Sequence, residues 1–287
     1  MQRLPQGPVL LRDYQQLVSS AQFRNVEEFS TRFLQQHQDR LADYGNRWVA
    51  DPLHHWSRQW EYPFVLGEIE QFQEVSQSQP LRILDAGSGI TFFPFLVRDQ
   101  FPNAQITCCD SDLSLQPLFA SLIDPNKTAI PFVAKDLAAT GLASSAFDVI
   151  YCISVLEHAT DISQIIHEFG RLLRPGGWLV VTLDISLDGC HDITVDGAHQ
   201  LLRQLQHEFS ATADSCLESL LTEPWPAGQQ LVTTRYFKRH APHLLPWKYP
   251  LISAVVSALR KGRLPRSTMK YLTFSCHSFI NSPAKAA

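Results

Sequence analysis

Cysteine is scarce and its spacing is uninformative: six stand among 287 residues, Cys108 beside Cys109, with no CxxC pair anywhere. That excludes a disulfide framework and the usual structural zinc spacings, and the thiols are expected to be reduced and mostly buried. Long apolar runs are missing too. The stretches Trp178 to Leu183 and Leu251 to Leu259 fall far short of the roughly 20 residues that cross a bilayer, so no membrane insertion is expected. The opening MQRLPQGPVLLRDYQQ is interrupted by Pro5, Gly7 and Pro8, unlike a secretory leader, and the expected location is cytoplasmic. No internal repeat or low-complexity tract occurs, and with 45% hydrophobic and 18% charged residues the chain can bury a core, which excludes a disordered or fibrous protein. Acid disappears after Glu223, whereas ten Lys or Arg lie between Arg235 and Lys285. The first 225 residues therefore carry minus 14 (14 basic, 28 acidic) and the remainder plus 10. Such a split either steers an acidic substrate or partner or lets a basic tail pack over an acidic body.

Hydrophobic spacing divides the chain into three parts. Over residues 1–80, Val26, Phe29, Phe33, Leu34, Leu41 and Tyr44 recur at helical intervals with Asn25 placed as a cap, and a second amphipathic helix is expected after Pro63, giving an N-terminal helical cap. Over residues 81–184 short apolar runs (RILDA, QITCCD, PFVAKD, FDVIYCI, WLVVTLD) alternate with helical stretches, one of them capped by Asp161. That alternation predicts an α/β fold, a doubly wound, Rossmann-like, mostly parallel sheet with helices on both faces. Residues 185–287 read as a C-terminal elaboration: a helix at AHQLLRQLQHEF, an irregular Pro-rich stretch, a short helix around LISAVVSALR and a terminal strand in KYLTFSCHSFI.

The first strand of the middle part runs straight into Asp85, Ala86, Gly87, Ser88 and Gly89. Glycine at 87 and 89 allows a sharp turn and close approach of a ligand at the carboxyl edge of the sheet. A dinucleotide site would want a third glycine where Phe92 stands, and the Asp85 carboxylate would repel a pyrophosphate but attract an ammonium group. The ligand implied has an adenosine-like part and a cationic head.

At this point the residues resemble the class I S-adenosylmethionine-dependent methyltransferases. The run ILDAGSGIT is similar to their hhDxGxGxG motif, with Thr91 in place of the last glycine. Asp110 ends the second strand, where the family bridges the ribose hydroxyls, and Asp136 ends the third, where it meets the adenine amino group with Leu137 beside it. FDVIYCISVLEHATD and EFGRLLRPGGWLVVT resemble the later strand signatures of the small-molecule branch. Taken singly, Asp85 has the competing reading of a helix cap and Asp110 that of a turn residue; five matches in order are far more specific. The resemblance implies S-adenosyl-L-methionine as cofactor, held by Asp85, Gly87, Ser88, Gly89, Asp110, Ser111, Asp136, Leu137 and Ser154. It also implies that the segment HHWSRQWEYP folds over that cofactor, Arg58 forking onto the methionine carboxylate and Trp56, Trp60 or Tyr62 walling the sulfonium. Plain packing of this segment onto the sheet is the competing reading.

The implied reaction is methyl transfer to an oxygen, nitrogen or carbon of a small organic acceptor, aromatic or anionic, walled by residues such as Trp225, Tyr236, Phe237, Trp247 and Tyr249. A carrier protein presenting the acceptor is compatible with the basic tail. His158 and His191 are the candidate bases. His158 belongs to a Leu-Glu-His triplet that resembles one shared by relatives of different acceptor chemistry, which argues for a structural or cofactor-shaping role, and His191 reads more readily as a solvated loop residue. SVLEH after the fourth strand matches neither the D/N-P-P-aromatic nor the Pro-Cys signature of nucleic-acid methyltransferases, and no Asp-Asn pair suggests magnesium, so no metal is expected. Two alternatives stand beside this reading: a non-catalytic cofactor-binding subunit, and an RNA methyltransferase using the basic tail.

Overall fold

A computed structural model describes residues 3–47, 55–76, 80–124, 128–189, 193–212, 221, 225, 228–245 and 270–282. Its helices are α1 (Leu11–Val18), α2 (Ala21–Gln36), α3 (Gln38–Arg47), α4 (Arg58–Ser76), α5 (Phe93–Gln100), α6 (Gln116–Leu122), α7 (Ile162–Leu172), α8 (Val195–Glu208) and α9 (Thr234–His240). The strands are β1 (Gly7–Pro8), β2 (Arg82–Ala86), β3 (Gln105–Asp110), β4 (Phe132–Ala134), β5 (Phe147–Ile153), β6 (Leu173–Ser186), β7 (Ile193–Thr194), β8 (Ser210–Ala211) and β9 (Leu272–Ile280).

All nine strands form one sheet in the order β1-β9-β6-β5-β2-β3-β4, with β7 on β6 and β8 on β9. Strands β2 to β6 run parallel to one another, as the strand and helix alternation predicts. The terminal strand, whose position spacing alone leaves open, lies antiparallel along β6 from Trp178 opposite Ile280 to Ser186 opposite Leu272. Successive residues of the central strands enter different cores. Ile83, Val149 and Val180 pack under the N-terminal helices and α5, while Leu84, Ile150 and Val181 pack against α7 and α8. Burial on both faces is why these strands read as continuous apolar runs.

Three local expectations are corrected. The first long helix is capped by Ser20, whose hydroxyl accepts from Phe23 N at 3.1 Å, so Asn25 lies inside α2. Ser20 has the extended backbone a cap needs. Pro63 lies within α4 rather than before it, and that helix is buried on nearly every side, from Gln59 to Phe72. Tertiary packing there outweighs the missing proline N–H. The Pro-rich stretch contains α9, capped by Thr233. The helix read in LISAVVSALR lies outside the described residues.

Cys108, Cys109, Cys152 and Cys276 are free and buried. Among the described residues no helix is long and apolar enough to cross a membrane, and no cluster of His, Cys, Asp and Glu could hold a metal.

Candidate active site

The chain leaves β2 for β3 and β4 on one side and returns to β5 on the other. A crevice opens at the carboxyl end of β2, where the strand order reverses, and the glycine turn lies in it. Gly87 has φ +77°, and a Cβ there would lie 2.5 Å from Val155 Cγ2, so the position needs glycine on two counts. The loop amides are all spoken for. Gly87 N and Ser88 N donate to Cys109 O at 2.8 and 3.1 Å. Gly89 N donates to Asp110 Oδ2 at 2.9 Å and Ile90 N to the Tyr44 hydroxyl at 3.2 Å. A phosphate-binding loop does the reverse, pointing free N–H groups at its anion. Here protein acceptors, one a carboxylate, cover four consecutive donors, an arrangement that disfavours pyrophosphate.

A cavity of about 310 Å³ extends from this turn. Gly87, Asp110 and Ser111 form one side, Asp136, Leu137 and Ala138 the floor after β4, and Val155, Ile165 and His158 to Asp161 the far wall. Asp110 also accepts Asp112 N through Oδ1 at 3.0 Å, so both its oxygens are oriented by backbone donors. Asp136 accepts Ala138 N at 2.8 Å. Each oxygen retains a lone pair for a ligand hydroxyl or amino group. His158 is exposed on this wall, and the exposed Asp161 caps α7 through Gln164 N at 3.0 Å.

Beyond Gly87 the crevice becomes buried and acidic. Asp85 is 5% exposed and accepts the Tyr151 hydroxyl at 3.0 Å. Burial pushes its carboxyl up to about 8, the tyrosine bond opposing the shift. The Tyr62 ring stacks on Phe93 at 4.5 Å and stands edge-on to Phe92 at 5.2 Å, its hydroxyl bonded to Thr91.

Arg58 is tied down at the ends of β5 and β6. Its Nη1 reaches Glu61 and, at 2.7 Å, Ser154 Oγ. Glu61 Oε1 also accepts Ser154 Oγ at 2.7 Å and Thr182 Oγ1 at 2.5 Å. Ser154 has φ +50° and donates its N–H to Thr182, a left-handed turn held by the next strand. Close by, Glu157 Oε1 accepts Asp184 N at 3.1 Å. Burial pushes the Glu157 carboxyl up to about 8, its two backbone bonds opposing the shift.

The crevice thus brings together Arg58, Tyr62, Asp85, Gly87, Ser88, Gly89, Asp110 and Ser154, and the adjoining cavity Ser111, Asp136, Leu137 and His158. His191, Trp247 and Tyr249 lie outside the described residues. Trp56 and Phe237, read as walls, are core residues: the Trp56 ring meets Phe237 at 6.0 Å and Phe274 at 5.1 Å. The sequence reading passes over Tyr44, Glu61, Tyr151, Glu157 and Thr182. Tyr44 looks like one more apolar helical position, and Glu157 is overshadowed by its histidine neighbour.

Residues 84–181 match the family model of a methyltransferase domain. That domain is the kind found in class I S-adenosylmethionine-dependent methyltransferases, whose cofactor is S-adenosylmethionine. Among curated relatives, a ubiquinone biosynthesis O-methyltransferase of Leptothrix cholodnii is 25% identical over 155 residues, 52% of this chain and 63% of the relative. A malonyl-[acyl-carrier protein] O-methyltransferase of Laribacter hongkongensis is 33% identical over 110 residues, 35% of this chain and 36% of the relative. Among solved structures, a Haemonchus contortus phosphoethanolamine N-methyltransferase in complex with S-adenosyl-L-methionine gives a TM-score of 0.44 at 14% identity, covering 76% of this chain and 53% of that one.

Proposed function

We propose that the chain transfers a methyl group from S-adenosylmethionine to an oxygen of a small organic acceptor. The observation that carries this reading is the pairing of a glycine turn whose amides are already satisfied with a cavity flanked by two carboxylates at the switch point. The shape and polarity suit a cofactor that is adenosine at one end and cationic at the other. Asp110 would hold the ribose hydroxyls, Asp136 and the Leu137 backbone the adenine amino edge, and Gly87, Ser88, Gly89 and Ser111 the surfaces between them. When bound, the cofactor supplies an activated methyl on sulfur, so the protein has mainly to align two reactants and exclude water.

The remaining residues organise the acceptor side. Arg58, fixed by Glu61 and Ser154, would offer its other N–H groups to the methionine carboxylate, and Tyr62 would wall the cofactor near Asp85. Oxygen is favoured as the methyl acceptor because the two curated relatives named above are O-methyltransferases. A hydroxyl acceptor must lose a proton. His158, exposed on the adenosine wall, and His191 remain the histidine candidates for that step.

Titration calorimetry with S-adenosylmethionine, S-adenosylhomocysteine and NADH tests the reading. Saturable binding of the two sulfur ligands alone is expected, and abolition of that binding in Gly87→Val. Binding of NADH instead would overturn it. Binding without turnover across a panel of hydroxyl, amine and carboxylate acceptors would favour a non-catalytic cofactor-binding subunit. A carrier-bound acceptor is a second reading, favoured by the acid-free basic segment and by the relative that acts on malonyl-[acyl-carrier protein]. Methylation of an acyl-carrier-protein thioester but not of the free acid would establish it; a salt-dependent gel shift with RNA would instead point to nucleic acid.

A further inference from the structure

Tyr44 comes from the N-terminal cap, far from the glycine motif in sequence, yet its hydroxyl lies on the motif. It accepts Ile90 N at 3.2 Å and would be 3.4 Å from a Cβ on Gly89. Asp110 and Asp112 are near enough to add to the burial that raises its pKa, so the phenol keeps its proton at neutral pH. That proton has no acceptor among the described residues. The bond to Ile90 uses a lone pair of the oxygen and leaves the O–H to be donated.

The helix that carries Tyr44 is anchored on α6, and the helix before it on α5. Arg40 of α3 bonds Ser121 O at the end of α6. The preceding helix, α2, packs Phe29 on Phe92 at 6.3 Å and Phe33 on Phe95 at 4.8 Å. The hydroxyl is therefore carried by elements packed against α5 and α6. A proton donor held beside a loop whose own N–H groups are all occupied supplies what that loop lacks: a hydrogen bond for an anionic group. In S-adenosylmethionine the only anionic group is the methionine carboxylate.

We propose that the Tyr44 hydroxyl, while accepting Ile90 N–H, donates its proton to the methionine carboxylate of S-adenosylmethionine, making the N-terminal cap a direct part of the cofactor site. A carboxylate has lone pairs enough for both this phenol and the Arg58 fork. The proposal rests on S-adenosylmethionine being the ligand of this site, which wild-type binding of S-adenosylhomocysteine checks separately.

The test compares wild type with Tyr44→Phe by calorimetry, using S-adenosylhomocysteine, which has the carboxylate, and 5′-methylthioadenosine, which lacks the amino-acid part. Phenylalanine keeps the ring packing, and a thermal melt confirms the fold. Loss of roughly tenfold in affinity for S-adenosylhomocysteine, about what one charge-assisted hydrogen bond contributes, with less than twofold for methylthioadenosine, is the expected result. Equal loss for both ligands would move the contact to the adenosine and overturn the proposal, as would no loss for either. Failure of wild type to bind either ligand would count against the cofactor assignment itself. If Tyr44→Phe melts early, Tyr44→Leu and Tyr44→His, measured with the same two ligands, keep the comparison open: only histidine, which has a hydrogen-bond donor, should restore the preference for the carboxylate.

Discussion

Helices α4 and α7 both pack on the central strands, one on each face, and they are built on opposite principles. α7 is conventional. Asp161 caps it, Ile165, Ile166, Phe169 and Leu172 face the sheet, and its acid Glu168 is bonded by Arg171 at 2.7 Å and by the Thr140 hydroxyl at 2.6 Å. α4 is buried nearly all round and contains a proline. It also submerges Glu61 at 0% exposure, and the Trp60 indole nitrogen, with that of Trp56 and the Ser57 hydroxyl just before the helix, is buried with no partner among the described residues. Unsatisfied buried polar atoms are costly. The contrast teaches that α7, which reaches the cavity only through Asp161 and Ile165 at its start, otherwise follows the demands of stability, whereas α4 carries polar groups where a purely structural helix would bury apolar ones, beside the strand ends at the candidate site.

Breaking the buried pair on α4 should have the largest effect. Glu61→Ala leaves Arg58, Ser154 and Thr182 without their common acceptor and should cost about 3–5 kcal/mol in urea unfolding, the usual result of orphaning a buried ion. A cost under about 1 kcal/mol would mean that the network is solvated and that the two helices do not differ as described. Asp85→Asn comes next. The folded carboxyl titrates near 8 against an ordinary 3.8, so the native state holds a proton that the unfolded chain has lost. Stability should therefore fall as pH rises from about 4 to about 8. Asp85→Asn should flatten that fall while weakening S-adenosylmethionine binding by at least tenfold, a trade of function for stability.

Glu168 on α7 has the opposite sign. Arg171 first, and Thr140 after it, hold its carboxyl down to about 2 against the opposing effect of burial. Its contribution is present above its unfolded pKa and is lost as pH falls from about 5 to 2. Glu168→Gln should cost about 1–3 kcal/mol at pH 7 and remove that acid-side slope, with cofactor affinity unchanged. The smallest effect is expected for His158→Ala, exposed just before α7: stability within about 0.5 kcal/mol of wild type and unchanged S-adenosylhomocysteine binding. A collapse of turnover with binding intact would give His158 the chemical role that its exposure does not suggest.

The two faces also differ in how far they can be read from residues alone. The α7 side follows from pattern: an aspartate, then apolar positions at helical intervals, then glycines closing into β6. Continuous runs such as Val149 with Ile150 announce strands buried on both sides, and ILDAGSGIT locates the turn. The α4 side does not follow from pattern, because a helix buried all round has no amphipathic stripe and Pro63 reads as a boundary. Its acid and hydroxyl partners come together only through the sheet, Glu61 with Ser154 and Thr182 across 93 and 121 positions. Trp56 reads as a binding aromatic for the same reason that it is core: a large ring next to charge fits both roles until its neighbours, Phe237 and Phe274, are known.

Strand β9 comes last of the nine in sequence yet lies inside the sheet, between β6 and β1. During synthesis β6 must therefore emerge with an unpaired edge, nine of its residues waiting for partners from Leu272–Ile280, and β1 has no partner at all until then. An unpaired hydrophobic edge invites pairing with other chains. Asn281, just past β9, then closes the arrangement, its side-chain amide reaching the carbonyls of Gly170, Leu173 and Arg174 at the turn into β6. Completion of the sheet thus waits on a stretch far downstream of the five parallel strands.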